Sequence, residues 1–470
     1  MIKVVMANNV RVENPPSEIA HKLIDKYTVS NPDYYKLERL GKWTGNTPEK
    51  LAMWERDGKT LVLPYGAIVD VMSALTDAGY GCCMEHNVSY GDRKYDYKSS
   101  INLYEYQQKA VQAAMGALKG VLVAPCGSGK TQMGLAIAAK LGLKTLWLTH
   151  THDLLNQSMS RAKQVFDLKA SDYGTIAAGK VEIGGVITFA TVQTMAKLDL
   201  TAYRDTWGCI IVDEAHHVAG TPTKLMQFSK VIGSLNAAYK FGLTATPKRA
   251  DGLIACMYAY LGPKFWEVSR EEVGDKTCPV EYMRIQTGFD CDYEEFANPD
   301  GTLNYVELIN VVCQDADRNQ QIARVIDDIL QIDGARVLVL SERVSHLEKL
   351  VTELIGMGAN GSPCSVISGK TKKSWRDNAI MELKSGQSRL MFATYQLAKE
   401  GLDIPELTHL ILASPNKTET VITQAVGRVA RACDGKKRGI VIDFVDGIFP
   451  LSSWASKRER IYKKLGYKPR

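Results

Sequence analysis

Residues 121–131 read VLVAPCGSGKT, and the fold is decided there. A short apolar run meets a glycine-rich turn, and a helix-forming segment, QMGLAIAAKLG, follows. Such a turn exposes backbone N–H groups at a helix N-terminus, where they bind phosphate oxygens. Gly127 and Gly129 permit the tight backbone. Lys130 is placed to reach the β- and γ-phosphates of ATP, and the Thr131 hydroxyl to ligate Mg²⁺. Pro125, Cys126 and Ser128 complete the cradle. The general pattern opens on glycine, and Ala124 stands there instead. The blander alternative is a glycine-rich turn with a stray lysine, which does not account for the strand–turn–helix context.

Outward from this turn the chain repeats the same texture. Nine short apolar runs alternate with amphipathic stretches: VLVAP (121–125), KTLWLTH (144–150), GVITFAT (185–191), CIIVDEA (209–215), KFGLTAT (240–246), RVLVLS (336–341), SRLMFAT (388–394), HLILAS (409–414) and GIVIDF (439–444). Runs of this kind predict parallel strands buried on both faces. Five precede residue 250 and four follow residue 335, which predicts two α/β lobes rather than one sheet.

The fourth run ends in Asp213-Glu214-Ala215-His216. Carboxylates at the carboxyl end of a parallel strand face the ligand crevice. Asp213 is expected to hold Mg²⁺ and Glu214 to orient and deprotonate the attacking water. The competing reading is a solvated acidic turn. His216 is assigned to coupling, and His217 is left without a role.

The bulk numbers set limits. The chain has 470 residues, 45% hydrophobic and 23% charged, an ordinary globular composition. Its net charge of +6 permits a polyanionic partner without requiring one. Ten cysteines include no CxxC pair, so a zinc site is not expected. The N-terminus lacks a signal-peptide core, and no apolar run is long enough to span a bilayer. A cytoplasmic setting, bacterial or phage-infected, is the expectation.

The domain reading is an accessory domain at 1–98, a first lobe at 99–272, a second lobe at 273–448 with a linker or insertion near 273–320, and a basic tail at 449–470. Within the accessory domain, helices are expected around PEKLAMWERDG and YGAIVDVMSALTDAGY. Lys36, Arg39, Lys42 and Trp43 form a basic cluster able to grip a duplex or stack on a junction, set against the plainer reading of a charged helix over an aromatic core. The tail is expected to bind phosphate or dock as an exposed helix.

Taken in order, these residues resemble superfamily 2 helicases over roughly residues 103–445. LYEYQ (103–107) is similar to the tyrosine–glutamine signature that precedes the phosphate loop, which implies that Tyr106 and Gln107 lie at the nucleotide. APCGSGKT resembles motif I, in which alanine commonly stands first. LTHTHDLLNQ (148–157) and ITFATVQTM (187–195) resemble nucleic-acid contact motifs. DEAH is motif II, and LTATPKRADG (243–252) resembles motif III. In the second half, VLVLSERVSHLEKL (337–350), FATYQLAKEGLDIPELTHLI (392–411) and QAVGRVAR (424–431) resemble motifs IV, V and VI.

The resemblance implies two tandem RecA-like lobes with parallel sheets flanked by helices, and an ATP-dependent helicase or translocase. It places Gly401 and Asp403 at the nucleotide, with Gln424, Arg428 and Arg431 as the catalytic contribution of the second lobe. Arg428 and Arg431 are read as arginine fingers, their spacing of three setting both on one helix face. Gly427 is read as interrupting that helix. Thr244 and Thr246 are assigned to coupling. Thr149, Thr191, Gln193 and Thr394, at strand ends, are the candidate contacts to DNA phosphates, each set against local turn bonding.

The extension KRADG after motif III resembles the DNA-directed group that holds XPB, the restriction motors and UvsW-type phage helicases. Duplex, forked or branched DNA is therefore the expected partner, and a monomer is compatible with this. An RNA helicase and a translocase-only subunit of a restriction or repair complex are the alternatives.

Overall fold

The computed structural model describes every residue except 126, 217–221, 246–252, 275–277, 299–302, 359–363, 401 and 403. The chain forms two compact units, one of Met1–Pro125 with Gly129–Glu272 and one of Cys126–Ser128 with Val273–Arg470.

The first unit is built on an eight-stranded sheet. Its order is Lys180–Glu182, Tyr173–Ala177, Ile187–Thr191, Thr145–Thr149, Cys209–Val212, Tyr239–Thr244, Lys119–Val123 and Lys264–Glu267. All pairings are parallel except that of the first two strands. The five apolar runs before residue 250 all lie in this sheet. Their side chains pack on both faces, as the unbroken apolar pattern requires. The helix Lys130–Leu141 is rich in Ala and Leu and buries seven of its residues. It starts at Gly129 and ends at Gly142, both left-handed, where a side chain would be strained.

The second unit carries a seven-stranded, all-parallel sheet in the order Cys364–Ile367, Leu390–Thr394, Val337–Ser341, His409–Leu412, Gly439–Val445, Val280–Gln286 and Lys468–Pro469. The four runs after residue 335 supply four of these strands. Separate apolar clusters cover the two faces.

Several expectations are corrected here. The PEKLAMWERDG stretch is not helical: Lys50–Ala52 pairs with Thr28–Ser30, and Glu55–Asp57 pairs with Thr60–Pro64. Strand pairing overrides the weak helical spacing of its apolar residues. Ile68–Asp77, by contrast, is a helix. The helix Pro32–Arg39 buries none of its residues, so it does not cover an aromatic core. The last segment is no tail. Leu451–Lys464 is a helix that buries Trp454, Arg458 and Tyr462, and the strand after it joins the second sheet.

The first 98 residues own a five-stranded sheet and a core, yet they belong to the same unit as the first lobe. Leu253, Cys256 and Ala259 of the first lobe complete that core. Tyr65 donates its hydroxyl to the Ala238 carbonyl at 3.1 Å. Gly66 lies so close to the helix Ile254–Leu261 that a Cβ would stand 2.4 Å from the Tyr258 carbonyl.

Candidate active site

In sequence the phosphate loop joins the strand Lys119–Val123 to the helix Lys130–Leu141. Gly127 and Gly129 have φ of +83° and +80°. The Gln107 side chain is packed against the turn, since a Cβ on Gly129 would stand 2.5 Å from Gln107 Nε2. Gln107 is itself fixed. Its Oε1 accepts the Tyr104 N–H at 3.0 Å, and its amide lies 3.4 Å from the Tyr106 hydroxyl. The Tyr104 and Tyr106 rings stack at 6.0 Å between centroids. Gln107 thus lies against the phosphate loop, a contact that spacing alone does not reveal. Pro125 and Thr131 are half-buried, and Ser128 is buried. Cys126 lies outside the described residues.

The acid pair follows the strand Cys209–Val212. Lys130 Nζ stands 3.9 Å from Glu214 Oε1, with both side chains largely out of solvent. Glu214 has φ +48°, a left-handed backbone for a non-glycine residue. Strain of this kind concentrates at functional positions. Its N–H donates to Asp213 Oδ1 at 3.0 Å. His216 Nδ1 lies 3.4 Å from Glu214 Oε2 and 3.0 Å from Thr244 Oγ1. Lys130, Glu214, His216 and Thr244 therefore form one continuous polar chain.

Burial and the adjacent Glu214 charge push the Asp213 carboxyl well above the usual carboxylate range, against Lys130 and Ser158, which favour its charged form. Ser158 donates to Asp213 Oδ2 at 3.3 Å, a contact that the sequence did not signal. The two oxygen donors, Asp213 and Thr131, suit a hard divalent cation, whose charge would offset the cost of ionising Asp213. These residues fit a magnesium–nucleotide complex on that chemistry. Thr246 lies outside the described residues, as do the KRADG positions 248–252.

The candidate nucleic-acid contacts on this unit are mostly committed within the fold. Thr149 and Thr191 are buried, their hydroxyls bonded to Thr151 O at 3.1 Å and Thr194 Oγ1 at 2.9 Å. Both hydroxyls thus make the local turn bonds that were the alternative reading. Gln193 is half-buried and donates to the His150 carbonyl at 2.9 Å.

In the second unit, Thr394 ends its strand half-exposed. Gln424 and Arg428 lie on the helix Glu419–Val429, where Arg428 Nε donates to the Ala398 carbonyl at 3.0 Å. Two expectations fail. The helix runs through Gly427 without a break, because that position is buried and tertiary packing outweighs the glycine's weak propensity. Arg431 lies beyond the helix end, so it shares no helix face with Arg428. Gly401 and Asp403 lie outside the described residues.

Residues 100–249 match the family Type III restriction enzyme, res subunit, and residues 319–433 match the Helicase conserved C-terminal domain. This chain belongs to superfamily 2 of the ATP-dependent helicases.

Among its relatives is a putative ATP-dependent RNA helicase of Acanthamoeba polyphaga mimivirus, 29% identical over 70% of this chain and 60% of that protein. The DNA 3'-5' translocase XPB2 of Sulfurisphaera tokodaii is 25% identical over 74% of this chain and 82% of its own length. A probable helicase of Escherichia phage T5 is 27% identical, covering 73% and 71%. The fold is shared with the DNA-bound restriction-modification enzyme LlaBIII, at 16% identity and a TM-score of 0.59 over 84% of this chain and 34% of that one. Both lobes of this helicase are thus RecA-like. Among the described residues, no helix is long and apolar enough to cross a membrane.

Proposed function

We propose that this helicase is a DNA motor that hydrolyses ATP between its two RecA-like lobes and uses the cycle to unwind or remodel duplex or branched DNA. The observation that carries the reading is the polar chain from Lys130 through Glu214 and His216 to Thr244. It links the phosphate loop to the end of a neighbouring strand, and so to the segment that precedes the KRADG extension.

In this reading the backbone N–H groups of the loop and Lys130 would hold the phosphates, while Thr131 and Asp213 would hold magnesium. When bound, the metal would supply charge neutralisation on the phosphates. Glu214 orients the attacking water and accepts its proton, and its strained backbone and contact with His216 fix the carboxylate for that task. Arg428 and Arg431 of the second lobe, with Gln424, complete the positive charge around the transferring group. Closing on ATP and opening after hydrolysis would supply the mechanical step.

DNA is favoured by the motif III extension and by the XPB2 relative, whose name records a DNA translocase. The mimivirus relative, named a putative RNA helicase, supports the second reading. Magnesium-dependent ATP hydrolysis measured with single-stranded, forked and four-way DNA and with RNA separates them. Stimulation by DNA above RNA is expected, and the reverse order would replace DNA as the substrate. Arg428→Ala and Arg431→Ala should each lower the stimulated rate by about 10³-fold or more while nucleotide still binds.

A further inference from the structure

The accessory domain carries a protrusion that the ATP site does not use. Residues 31–49 leave and rejoin the domain at one place. The strands Thr28–Ser30 and Lys50–Ala52 pair at its base. Asn31 N–H donates to the Glu49 carbonyl at 2.8 Å, Asn31 Nδ2 to the Pro48 carbonyl at 2.7 Å, and the Tyr35 hydroxyl to Glu49 Oε1 at 2.9 Å. Directly below, Met53 N–H donates to the Tyr27 carbonyl at 2.9 Å, and both residues lie in the core shared with the first lobe. The protrusion is therefore braced on the unit that carries Lys130.

Its tip is equally ordered. The helix Pro32–Arg39 ends with Gly41 at φ +58°, Gly41 N–H donating to the Glu38 carbonyl and Lys42 N–H to the Leu37 carbonyl, each at 2.9 Å. This paired C-cap terminates the helix sharply and fixes where the next residues start. Trp43 follows and is 88% exposed. A Cβ on Gly45 would stand 3.3–3.5 Å from three carbons of the indole, so the ring rests on the bare backbone of Gly45. One side of the indole is seated and the rest lies open to solvent.

Four cations lie in or beside this short segment. Lys36 and Arg39 lie in the last turn of the helix, Lys42 precedes Trp43, and Lys50 lies at the base. All four are exposed, and among the described residues none is held in an ion pair. Of the three carboxylates nearby, Asp33 lies in the first helical turn and Glu49 receives the Tyr35 hydroxyl, which leaves Glu38. An exposed aromatic face on a segment with exposed cations matches a chain that carries flat bases on a phosphate backbone.

We propose that this protrusion is a nucleic-acid contact, in which Trp43 stacks on a base of an unpaired strand while Arg39 and Lys42 hold the flanking phosphates. It rests on the reading of the chain as a nucleic-acid motor and adds a grip fixed to the first lobe. The accessory domain then moves with that lobe and holds the strand against it.

The test uses the full chain and a short fluorescein-labelled oligothymidylate, with binding followed by anisotropy. Trp43→Ala should bind roughly tenfold more weakly or worse, and Trp43→Phe should recover part of the loss. Arg39→Glu with Lys42→Glu should weaken binding and flatten its salt dependence, whereas Trp43→Ala should leave that slope unchanged. Melting temperature and ATP hydrolysis without nucleic acid should stay at the parent values in all three. Trp43→Ala binding within about twofold of the parent overturns the proposal. So does unchanged binding with altered self-association in sedimentation, which would make the tip a protein contact. If the parent chain shows no nucleic-acid-stimulated hydrolysis, the motor reading itself falls, a result separate from any effect at Trp43.

Discussion

His216 Nδ1 lies 3.0 Å from Thr244 Oγ1, with both residues buried. The same nitrogen lies 3.4 Å from the carboxylate of Glu214. One imidazole thus touches both the residue read as catalytic base and the end of the strand Tyr239–Thr244. A shift at either end must be felt at the other, because a buried polar group cannot give up a partner without cost. Thr244→Val keeps the shape and removes the hydroxyl. It should leave basal ATP hydrolysis near the parent rate and cut the stimulation by nucleic acid by about 5–150-fold. Parallel assays with and without DNA check this, and equal losses in both would mean that the contact is structural only.

Glu214 tests the chemical step. Glu214→Gln preserves shape and hydrogen bonding but removes the basic oxygen. Hydrolysis should fall by about 10²–10⁴-fold, while a fluorescent ATP analogue binds with parent affinity. Lys130→Ala should lose that binding as well, because Lys130 contributes charge to the ground state. If Glu214→Gln hydrolyses ATP at near the parent rate, another residue is the base.

How much of this was legible in the sequence follows from burial and chain distance. The nine apolar runs announce themselves because they are buried on both faces, and all nine lie in the two sheets. Strands at sheet edges do not. Lys264–Glu267 and Cys364–Ile367 are short and partly exposed, and Val280–Gln286, one strand in from an edge, is mostly half-buried, so none reads as a core run. Lys130 and Glu214 are legible because each lies within a compact local pattern. The Ser158–Asp213 hydrogen bond joins residues 55 apart, and only the fold brings them together. The end of the helix at Val429 is not legible because nothing at Ala430 marks a stop, and Arg431 lies two residues past it.

Gly129 should be intolerant of any side chain. Its φ of +80° strains an L-residue, and a Cβ would meet Gln107 Nε2 at 2.5 Å. Gly129→Ala is expected to abolish measurable nucleotide binding. Adding Gln107→Ala removes the clash but not the backbone strain, so the double variant should remain defective. Equilibrium binding of a fluorescent nucleotide decides this, and full rescue by the second change would show that the clash alone matters.

A pH dependence follows from the seam between accessory domain and first lobe. Lys119 Nζ lies over the Tyr65 ring and 3.4 Å from Met6 Sδ. Burial, and then the neighbouring Lys240 charge, hold the Lys119 ammonium down at about 6. In the unfolded chain it keeps its proton to about 10.5. Between those values the unfolded state binds more protons, so this lysine penalises folding most near pH 6, and the penalty fades as pH rises toward 10.5. Lys119→Met should raise the melting temperature by a few degrees at pH 7, with a smaller gain at pH 9. Differential scanning calorimetry at the two values checks the sign, and a gain that grows with pH would refute the assignment.

The C-terminal helix offers the sharpest stability test. Arg458 is buried at 2% exposure, donates from Nε to both oxygens of Asp443 at 2.9 and 3.0 Å, and reaches the Phe444 carbonyl at 3.2 Å. Tyr462 donates to the same carboxylate at 2.9 Å. Asp443 lies in the strand Gly439–Val445, so these bonds tie the helix to the second sheet. Arg458→Met leaves the Asp443 charge buried without its counter-ion, which should cost about 3–5 kcal/mol. The double change Arg458→Met with Asp443→Asn removes the stranded charge and should recover part of that loss. Chemical denaturation followed by circular dichroism measures both. A loss below about 1 kcal/mol for Arg458→Met, in the range of exposed pairs, would mean that solvent reaches the carboxylate and that this segment is held to the sheet by apolar packing alone.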